Sequence, residues 1–410
     1  MTQHRRALVI GGSLGGLFAA HLLRNAGWEV DVFERVPDEL AGRGAGIVTH
    51  PELFDALVRC GVEIDASIGV EVPGRVTLDA SGRTIGELPL KQVLTSWGRL
   101  YAALKDRFPA EAYHRGFSLE LVEQGEGHVV ACFANGQRAQ GDLLIGADGI
   151  RSTVRSQWMP SVAPQYAGYV AWRGLVDEAA ISPQTHAALF ERFGFCLPAG
   201  EQMLGYPVAG AGNSTEPGHR RYNFVWYRPA AEDSGLVDLL TDESRHRHEV
   251  SIPPPLIRRE VIARMRHDAD TLLAPQFAEL VRLTPQPFFQ PIYDVESAQL
   301  VFGRVVLAGD AAFVARPHVG MGVTKAAGDA VALADALRAY ADVDAALKRY
   351  ETARLRLGAA VIARARHLGA YMQAQIKTAS EREMAERYRT PAAVMRETAT
   401  PENMWSTNPA

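Results

Sequence analysis

A glycine-rich turn near the start of the chain constrains its fold more than any other segment. The apolar run at residues 7–10 enters the turn Gly11-Gly12-Ser13-Leu14-Gly15-Gly16, a helical pattern follows at 17–26, and 29–34 has the composition of a second strand. Strand, glycine turn, helix and strand within about 30 residues form a βαβ unit, whose first strand is buried and parallel. The sequence therefore predicts an α/β fold built on a parallel sheet.

The turn approximates the dinucleotide-binding pattern G-x-G-x-x-G. In that pattern the first glycine permits a tight turn, the last lets the helix pack on the strand, and the middle position lets the backbone approach a pyrophosphate at the helix N-terminus. Ser13 takes the middle position, where a small hydroxyl can donate to phosphate. A glycine-rich turn without a ligand is the alternative.

An acidic residue supports the dinucleotide interpretation. Glu34 ends the second strand about 20 residues after the turn, where a carboxylate binds ribose hydroxyls and disfavours a 2′-phosphate. The nucleotide is therefore of the FAD or NAD type. The predicted contacts of this half are Gly11, Ser13, Leu14, Gly16, Glu34 and Arg35.

Other segments divide the chain into regions of different composition. Apolar runs at 143–145 and 305–307 end in small residues and an aspartate, as buried strands before a turn do. Residues 169–176 and 221–227 are rich in aromatic and β-branched residues, which predicts an antiparallel sheet with one face exposed to something other than bulk water. Helices are expected from Thr324 to about Arg389, and a surface tail beyond Thr390.

Charge and cysteine content exclude several classes of protein. The 410 residues carry a formal net charge of −4, without the basic stripe that nucleic acid requires. Cys60, Cys132 and Cys196 are too scattered for a disulfide framework or a zinc cluster. No apolar stretch approaches the roughly 20 residues of a membrane span. We therefore expect a cytoplasmic protein with no nucleic acid and no membrane as partner, and no bound metal.

Two further motifs carry a resemblance to a known family. Two segments follow the N-terminal turn in order. The first is Gly146-Ala147-Asp148-Gly149-Ile150-Arg151. The second runs from Gly303 to Ala312 and is followed by Arg316-Pro317-His318-Val319-Gly320-Met321-Gly322. Together they resemble the FAD-dependent single-component aromatic hydroxylases, the flavoprotein monooxygenases of the para-hydroxybenzoate hydroxylase fold. The resemblance spans about residues 5 to 345, and segments 50–53 and 169–176 are most similar to the members that hydroxylate dihydroxypyridines.

The resemblance implies a specific architecture. A Rossmann-like FAD-binding domain is interleaved with an antiparallel-sheet substrate domain, and helices follow at the C-terminal side. The expected FAD-binding domain comprises residues 1–72, 96–158 and 288–345, and the substrate domain residues 73–95 and 159–287. The C-terminal helices are expected at 346–390, and the tail at 391–410.

The resemblance also implies how the rest of FAD is bound. Asp310 accepts a hydrogen bond from a ribityl hydroxyl, and Gly320, Met321 and Gly322 open a helix whose positive end favours the reduced, anionic flavin. Asp148 links the cofactor loops. Further expected contacts are Pro317, Val323 and the loop Gly44-Ala45-Gly46-Ile47 beside the flavin ring.

One position departs from the family pattern. An arginine that reaches FAD usually precedes the helix near residue 100, and Trp97 stands at that position here. Arg99, two residues later, either substitutes for it or is a surface residue.

The implied chemistry is oxygen transfer. NADH or NADPH binds transiently and reduces the bound FAD, O₂ adds at flavin C4a, and the hydroperoxide hydroxylates an electron-rich ring. A base near the ring would activate the substrate, and His50 and His318 are the candidates, although each could be structural. Tyr206 and Trp226 are candidate pocket walls or core residues. Arg173 either binds an acidic substrate or is an ion-paired element of the sheet.

The sequence leaves the substrate, the class of flavin protein and the oligomeric state open. The absence of a dedicated carboxylate clamp favours a hydroxypyridine or phenol over a benzoate as the small aromatic substrate. The alternatives are another flavin enzyme of the same fold (an oxidase, halogenase or reductase) or a non-catalytic flavin-binding redox sensor. The small-residue stripe Ala359, Ala360 and Ala363 could form a homodimer face or pack within the chain.

Overall fold

The computed structural model of the protein describes residues 5–40, 46–376 and 378–400. The strands are β1 (Arg6–Ile10), β2 (Glu29–Glu34), β3 (Gly46–Val48), β4 (Val70–Leu78), β5 (Thr84–Ser96), β6 (Tyr113–Arg115), β7 (Leu119–Gly125), β8 (His128–Phe133), β9 (Arg138–Gly141), β10 (Leu143–Gly146), β11 (Gln165–Asp177), β12 (Phe193–Cys196), β13 (Gln202–Val208), β14 (Arg221–Pro229), β15 (Phe288–Glu296), β16 (Val301–Phe302), β17 (Val305–Leu307) and β18 (Phe313–Val314). The helices are α1 (Leu14–Asn25), α2 (Pro51–Arg59), α3 (Trp97–Lys105), α4 (Thr153–Trp158), α5 (Pro183–Thr185), α6 (Gly235–Leu239), α7 (Arg259–Leu272), α8 (Pro275–Leu283), α9 (Gly322–Ala339), α10 (Val343–Gly369), α11 (Ala379–Tyr388) and α12 (Pro391–Glu397).

The first sheet has six strands in the order β16-β17-β10-β1-β2-β6. Strands β17, β10, β1, β2 and β6 pair in parallel, so their carboxyl ends lie at one edge. Residues 7–10 of β1 are at most 3% exposed, because the central strand is covered on both faces. The turns after β1, β2, β10 and β17 therefore meet at this edge, where ligands bind in open α/β sheets. The predicted α/β class is confirmed.

The second sheet has nine strands in the order β18-β15-β11-β14-β13-β12-β4-β5-β3. Its pairs are antiparallel except for β12 with β4, which confirms the predicted antiparallel sheet. Helices α7 and α8 pack on one face through Val261, Met265 and Phe277. The opposite face is turned toward the first sheet's ligand edge. Strands β7, β8 and β9 form a small separate sheet.

The strands do not follow the expected domain boundaries at every point. Strands β3, β15 and β18 belong to ranges expected in the FAD-binding domain, yet all three lie in the nine-stranded sheet. These strands belong to the nine-stranded sheet because β3 pairs with β5, and β15 pairs with β11. The chain therefore crosses between the two sheets more often than composition indicates.

The region beyond Thr390 also differs from the sequence-based expectation. Residues 391–397 form α12, and Val394 and Met395 are buried, so the predicted surface tail is wrong for residues 391–400. The remaining part of that tail, 401–410, lies outside the described residues. The helices expected from Thr324 onward are present as α9, α10 and α11.

The structure also bears on the expectations about membrane spans, cysteines and the small-residue stripe. Within the described part of the chain, no helix is both long enough and apolar enough to cross a membrane. Cys60 and Cys196 are buried free thiols, and Cys132 is partly exposed. Ala359, Ala360 and Ala363 are exposed on α10, so they do not pack within the chain, and their use in a homodimer stays a prediction.

Candidate active site

The turn after β1 is shaped by its glycines. Gly11 has a φ of +103°, and a Cβ added there would lie 2.4 Å from the Ala147 carbonyl oxygen. A Cβ on Gly16 would lie 1.8 Å from the Gly11 carbonyl oxygen. Helix α1 begins at the buried Leu14, and the N-cap residue Ser13 makes no side-chain capping hydrogen bond. The first backbone N–H groups of α1 are therefore available to a phosphate.

Glu34 holds this turn and faces a cavity. One carboxylate oxygen accepts from the Gly12 N–H at 2.8 Å, and the other accepts from the Val36 N–H at 2.9 Å. Each oxygen can accept a second hydrogen bond, so the carboxylate retains capacity for ribose hydroxyls. We call the adjoining space of about 350 Å³ the nucleotide cavity, and its lining includes Gly11, Ser13, Glu34, Arg35, Val36, Trp97 and Asp148.

The structure does not place Arg99 at this cavity. Its Nε donates to the Ser67 carbonyl at 2.9 Å and its guanidinium donates to the Ser67 hydroxyl at 2.5 Å, so the expected contact with FAD is contradicted. Trp97 lines the nucleotide cavity instead and stacks on Tyr101 with 4.8 Å between ring centroids. Arg35 and Arg151 supply positive charge where this cavity meets a larger one.

Asp148 lies at the same junction. Its carboxylate accepts from the Ser152 hydroxyl at 2.5 Å and from the Val154 N–H at 3.2 Å. Burial raises its pKa, and these hydrogen bonds oppose that shift. The side chain therefore stabilises the loop between β10 and α4, which borders both cavities, and its role in linking the cofactor loops stays a prediction.

The larger space, of about 640 Å³, is called the central cavity below. Asp310 lines it after β17, and a buried polar cluster holds the turn that presents Asp310. Lys325 Nζ donates to the Gly309 carbonyl at 2.8 Å, and Asp329 accepts from the Gly309 N–H at 2.9 Å. Arg354 in turn donates to Asp329 at 2.6 Å. Sequence reasoning missed this cluster, whose signal was a Lys and an Asp four residues apart in an alanine-rich helix.

The N-terminus of α9 faces the central cavity. Gly320 has a φ of +72°, and a Cβ on Gly322 would meet nothing within 4 Å, so a side chain there would project into open space. Met321, the N-cap, is buried and makes no side-chain capping hydrogen bond. Gly46 cannot carry a side chain in this arrangement, because an added Cβ would lie 2.4 Å from the Tyr206 ring. The cavity is also lined here by Ile47, Pro317 and Val323.

These observations fit FAD. The free N–H groups of α1 suit a pyrophosphate, and the glycine-flanked start of α9 suits the edge of an anionic ring. The two cavities share Arg35, Asp148, Gly149 and Arg151, so a long dinucleotide can extend through both. Gly44 and Ala45 of the predicted flavin loop lie outside the described residues.

The far end of the central cavity is an aromatic wall from the nine-stranded sheet. Tyr206 lines it together with Phe193, Val225 and Tyr227, and contact of Tyr206 with a substrate stays a prediction. Trp226 does not, because side chains alternate along β14 and Trp226 points to the opposite face. There its indole donates to Glu201 at 2.8 Å. Trp226 is therefore a core residue, which is the alternative that the sequence left open, and Tyr227 lines the cavity in its place.

Arg173 is a buried cation in this wall. The residue is 8% exposed and lines the central cavity. Among the described residues it has no ion-pair partner, and its Nε has no hydrogen-bond acceptor. Burial raises the pKa of Tyr206 and Tyr227, and the Arg173 charge opposes that shift. The structure thus excludes the ion-paired alternative within its described part.

The two candidate histidines occupy different places. His318 lines the central cavity, and its Nε2 donates to the Ala365 carbonyl at 3.0 Å, which leaves Nδ1 as an acceptor without a partner among the described residues. Burial lowers its pKa to about 4, so the ring is neutral at pH 7. His50 instead borders a neighbouring cavity of about 510 Å³ and hydrogen-bonds Thr324 at 2.9 Å. Its position contradicts a role as the substrate's base.

Known proteins share this sequence and fold. The family model described as "FAD binding domain" matches residues 5–170 and 291–365, and a model described as "FAD binding domain-like" matches 166–294. The chain is 34% identical to 2,6-dihydroxypyridine 3-monooxygenase of Paenarthrobacter nicotinovorans over 90% of this chain and 91% of that protein. It is 27% identical to 6-hydroxynicotinate 3-monooxygenase of Pseudomonas fluorescens over 82% of this chain and 84% of that one.

Solved structures show the same likeness. The structure of 2,6-dihydroxypyridine-3-hydroxylase from Arthrobacter nicotinovorans superposes with a TM-score of 0.85 at 34% identity, covering 90% of this chain and 93% of that one. Klebsiella pneumoniae HpxO complexed with FAD and uric acid shares the fold, with a TM-score of 0.75 at 23% identity and 99% and 96% coverage. Together with the cavities described above, these findings show that the chain belongs to the family of FAD-dependent monooxygenases that hydroxylate aromatic rings.

Proposed function

We propose that this protein is a single-component monooxygenase that uses NADH or NADPH and O₂ to hydroxylate a hydroxypyridine or phenol bound as its anion. The observation that carries the proposal is Arg173, a buried guanidinium without an ion-pair partner in the described structure, set in an aromatic wall. A buried unpaired charge is costly, so such a residue is typical of a site that receives an opposite charge from a ligand.

FAD, when bound, supplies the redox and oxygen chemistry, and the chain positions the reactants and excludes water. The turn after β1 and Glu34 would hold the adenosine and pyrophosphate half. Asp310 and the start of α9 would hold the ribityl chain and ring. The described part of the chain carries one dinucleotide turn, which supports transient binding of the nicotinamide cosubstrate in the central cavity.

The substrate's chemistry is inferred from the wall. Tyr206 and Tyr227 offer aromatic surface for a planar ring, and Arg173 offers hydrogen bonds to a deprotonated ring hydroxyl. Deprotonation raises the electron density of the ring, which is what oxygen transfer requires. A hydroxypyridine is favoured by the 34% identical relative, which is named for a dihydroxypyridine.

His318 would hold a substrate hydroxyl rather than deprotonate it fully. Its Nδ1 is an acceptor, since Nε2 donates to Ala365. A group whose pKa is about 4 is a weak base at neutral pH. In this proposal His318 orients an O–H group, and the Arg173 charge stabilises the oxyanion.

The test is a substrate screen on the purified protein. We expect a yellow protein in which dihydroxypyridines, hydroxynicotinates or phenols stimulate NADH or NADPH oxidation, with one atom of isotope-labelled O₂ found in the product by mass spectrometry. A protein that binds no FAD on reconstitution overturns the proposal. Stimulated oxidation that yields only hydrogen peroxide with every ring would indicate an oxidase instead.

We also propose a cytoplasmic location. The three cysteines are free thiols, as in proteins from reducing compartments. Fractionation of the source cells tests this, and recovery outside the cytoplasm would contradict it.

A further inference from the structure

Residues Thr390–Thr400, called the closing segment below, reach the central cavity at Thr398 and Ala399. Thr390 caps α12 by accepting from the Ala393 N–H at 3.3 Å, and Val394 and Met395 are buried against the nine-stranded sheet. After α12, Thr398 and Ala399 reach the central cavity and line it. Neither residue belongs to a strand, so side chains and single hydrogen bonds hold this stretch in place.

Arg75 anchors one side of the closing segment. This residue of β4 is 1% exposed, and its guanidinium donates to the Met395 carbonyl at 2.6 Å and the Thr398 carbonyl at 2.7 Å. The same guanidinium lies 4.8 Å from the centroid of Phe193, a residue of the aromatic wall. The anchor thus connects the closing segment directly to the wall that would contact substrate.

The other side is joined to the loop before α9. The Ala399 N–H donates to the His318 carbonyl at 2.9 Å, and a Cβ on Gly320 would lie 2.5 Å from the Ala399 methyl. Ala399 has a φ of +52°, a conformation uncommon for a residue other than glycine and often found at functional sites. It also lines the neighbouring cavity beside His50, so it separates the two spaces.

We propose that the closing segment is a wall of the substrate cavity, that Thr398 and Ala399 limit the size of the ring substituents accepted there, and that Arg75 is the positioning residue that holds them. The substrate part rests on the proposed function. The anchoring part concerns the chain alone and can be measured without turnover.

The first experiment measures specificity. Thr398→Ala and Ala399→Gly each remove wall atoms, and glycine tolerates the backbone conformation at 399. The measurement compares pairs of hydroxypyridines that differ by one methyl group, and binding to the FAD-loaded protein is followed by flavin fluorescence. We expect the ratio of the two dissociation constants to change about fivefold or more in favour of the larger ring. Thr400→Ala is the matched control, because Thr400 lines the neighbouring cavity and not the central one. An unchanged ratio in both variants overturns the specificity assignment.

The second experiment measures the anchor by hydrogen–deuterium exchange of the full chain. Arg75→Gln should speed exchange in peptides covering 394–400 about tenfold or more, while exchange in the six-stranded sheet is unchanged. Arg83→Gln, an exposed arginine of the adjoining hairpin, is the control. Unchanged exchange in Arg75→Gln overturns the anchor. If the wild-type protein binds no ring at all, the proposed function and the specificity assignment fall, and the exchange result still decides the anchor.

Discussion

Replacement of Arg173 by glutamine tests the proposed substrate activation most directly. Arg173 is 8% exposed and has no ion-pair partner among the described residues, so its charge is available to a bound oxyanion. A charge pair at about 4 Å in an effective dielectric of about 20 is worth about 4 kcal/mol, and a charged hydrogen bond contributes about 1.5–3 kcal/mol. We adopt about 2–3 kcal/mol for the loss, which corresponds to about 30- to 150-fold in kcat/KM.

The same energy fixes the expected pH dependence. A cation favours the deprotonated hydroxyl, so its removal raises the pKa of the bound substrate by about 1.5 to 2.2 units. The rising limb of the kcat profile, which reports groups of the enzyme–substrate complex, should move to higher pH by that amount in Arg173→Gln. Arg173→Lys should lie between the two, because lysine keeps the charge but loses the planar pair of donors.

Two controls separate this effect from misfolding. Arg221→Gln removes an arginine of β14 that is paired with Asp177, and we expect it to leave the profile unchanged. Because an unpaired buried charge destabilises the folded state, Arg173→Gln should unfold at the same temperature as the wild type or higher. A ring with a more acidic hydroxyl should recover part of the lost activity. An unmoved pH profile, with equal losses for rings of every acidity, would refute the reasoning.

Three further variants follow from the geometry. Gly16→Ala places a methyl 1.8 Å from the Gly11 carbonyl, so FAD affinity should fall about tenfold or more by titration, whereas Gly98→Ala, with no neighbour within 4 Å, should retain it. Lys325→Met removes the donor to Gly309, and about a tenfold weaker affinity for FAD is expected; normal FAD binding would show that the buried cluster does not position Asp310. His318→Asn removes a group whose pKa burial lowers from 6.5 to about 4. The unfolded state binds more protons between those pH values, so the free energy of unfolding of the wild type falls as the pH drops from 6.5 to 4. Chemical denaturation of His318→Asn should show that fall reduced by up to about 3 kcal/mol. An equal dependence of the unfolding free energy on pH in both proteins would contradict this.

Local requirements made much of the cofactor site predictable. Gly11 and Gly16 are needed because the chain turns tightly and the helix packs on the strand, and both needs are visible within one short motif. Glu34 is the last residue of β2 and Asp310 comes after β17, and the carboxyl ends of parallel strands share an edge. A sequence that places its special residues at or just after the ends of strands therefore indicates the ligand edge before any distance is known.

The substrate wall was less predictable because both faces of its sheet are buried. Residues 222–227 of β14 are all buried, so polar and apolar residues do not alternate to mark the inner face. Trp226 and Tyr227 are then equivalent in the sequence, and only the strand register places Tyr227 at the cavity. The closing segment was missed for another reason. Its anchor joins Arg75 to residues more than 300 positions later, and its composition is that of a surface tail.

The distribution of charge in the central cavity fits the two anions that the proposed function brings together, the reduced flavin ring and the substrate oxyanion. Among the described residues, the cations that line it are Arg35, Arg151 and Arg173, and the first two also border the nucleotide cavity. His318 is neutral because burial lowers its pKa to about 4. The reduced ring would therefore find its positive partner at the start of α9, whereas a substrate oxyanion would find it at Arg173. Separate partners would let both negative charges be stabilised at once, which the proposed function requires while a ring anion and the reduced flavin are bound together before O₂ reacts.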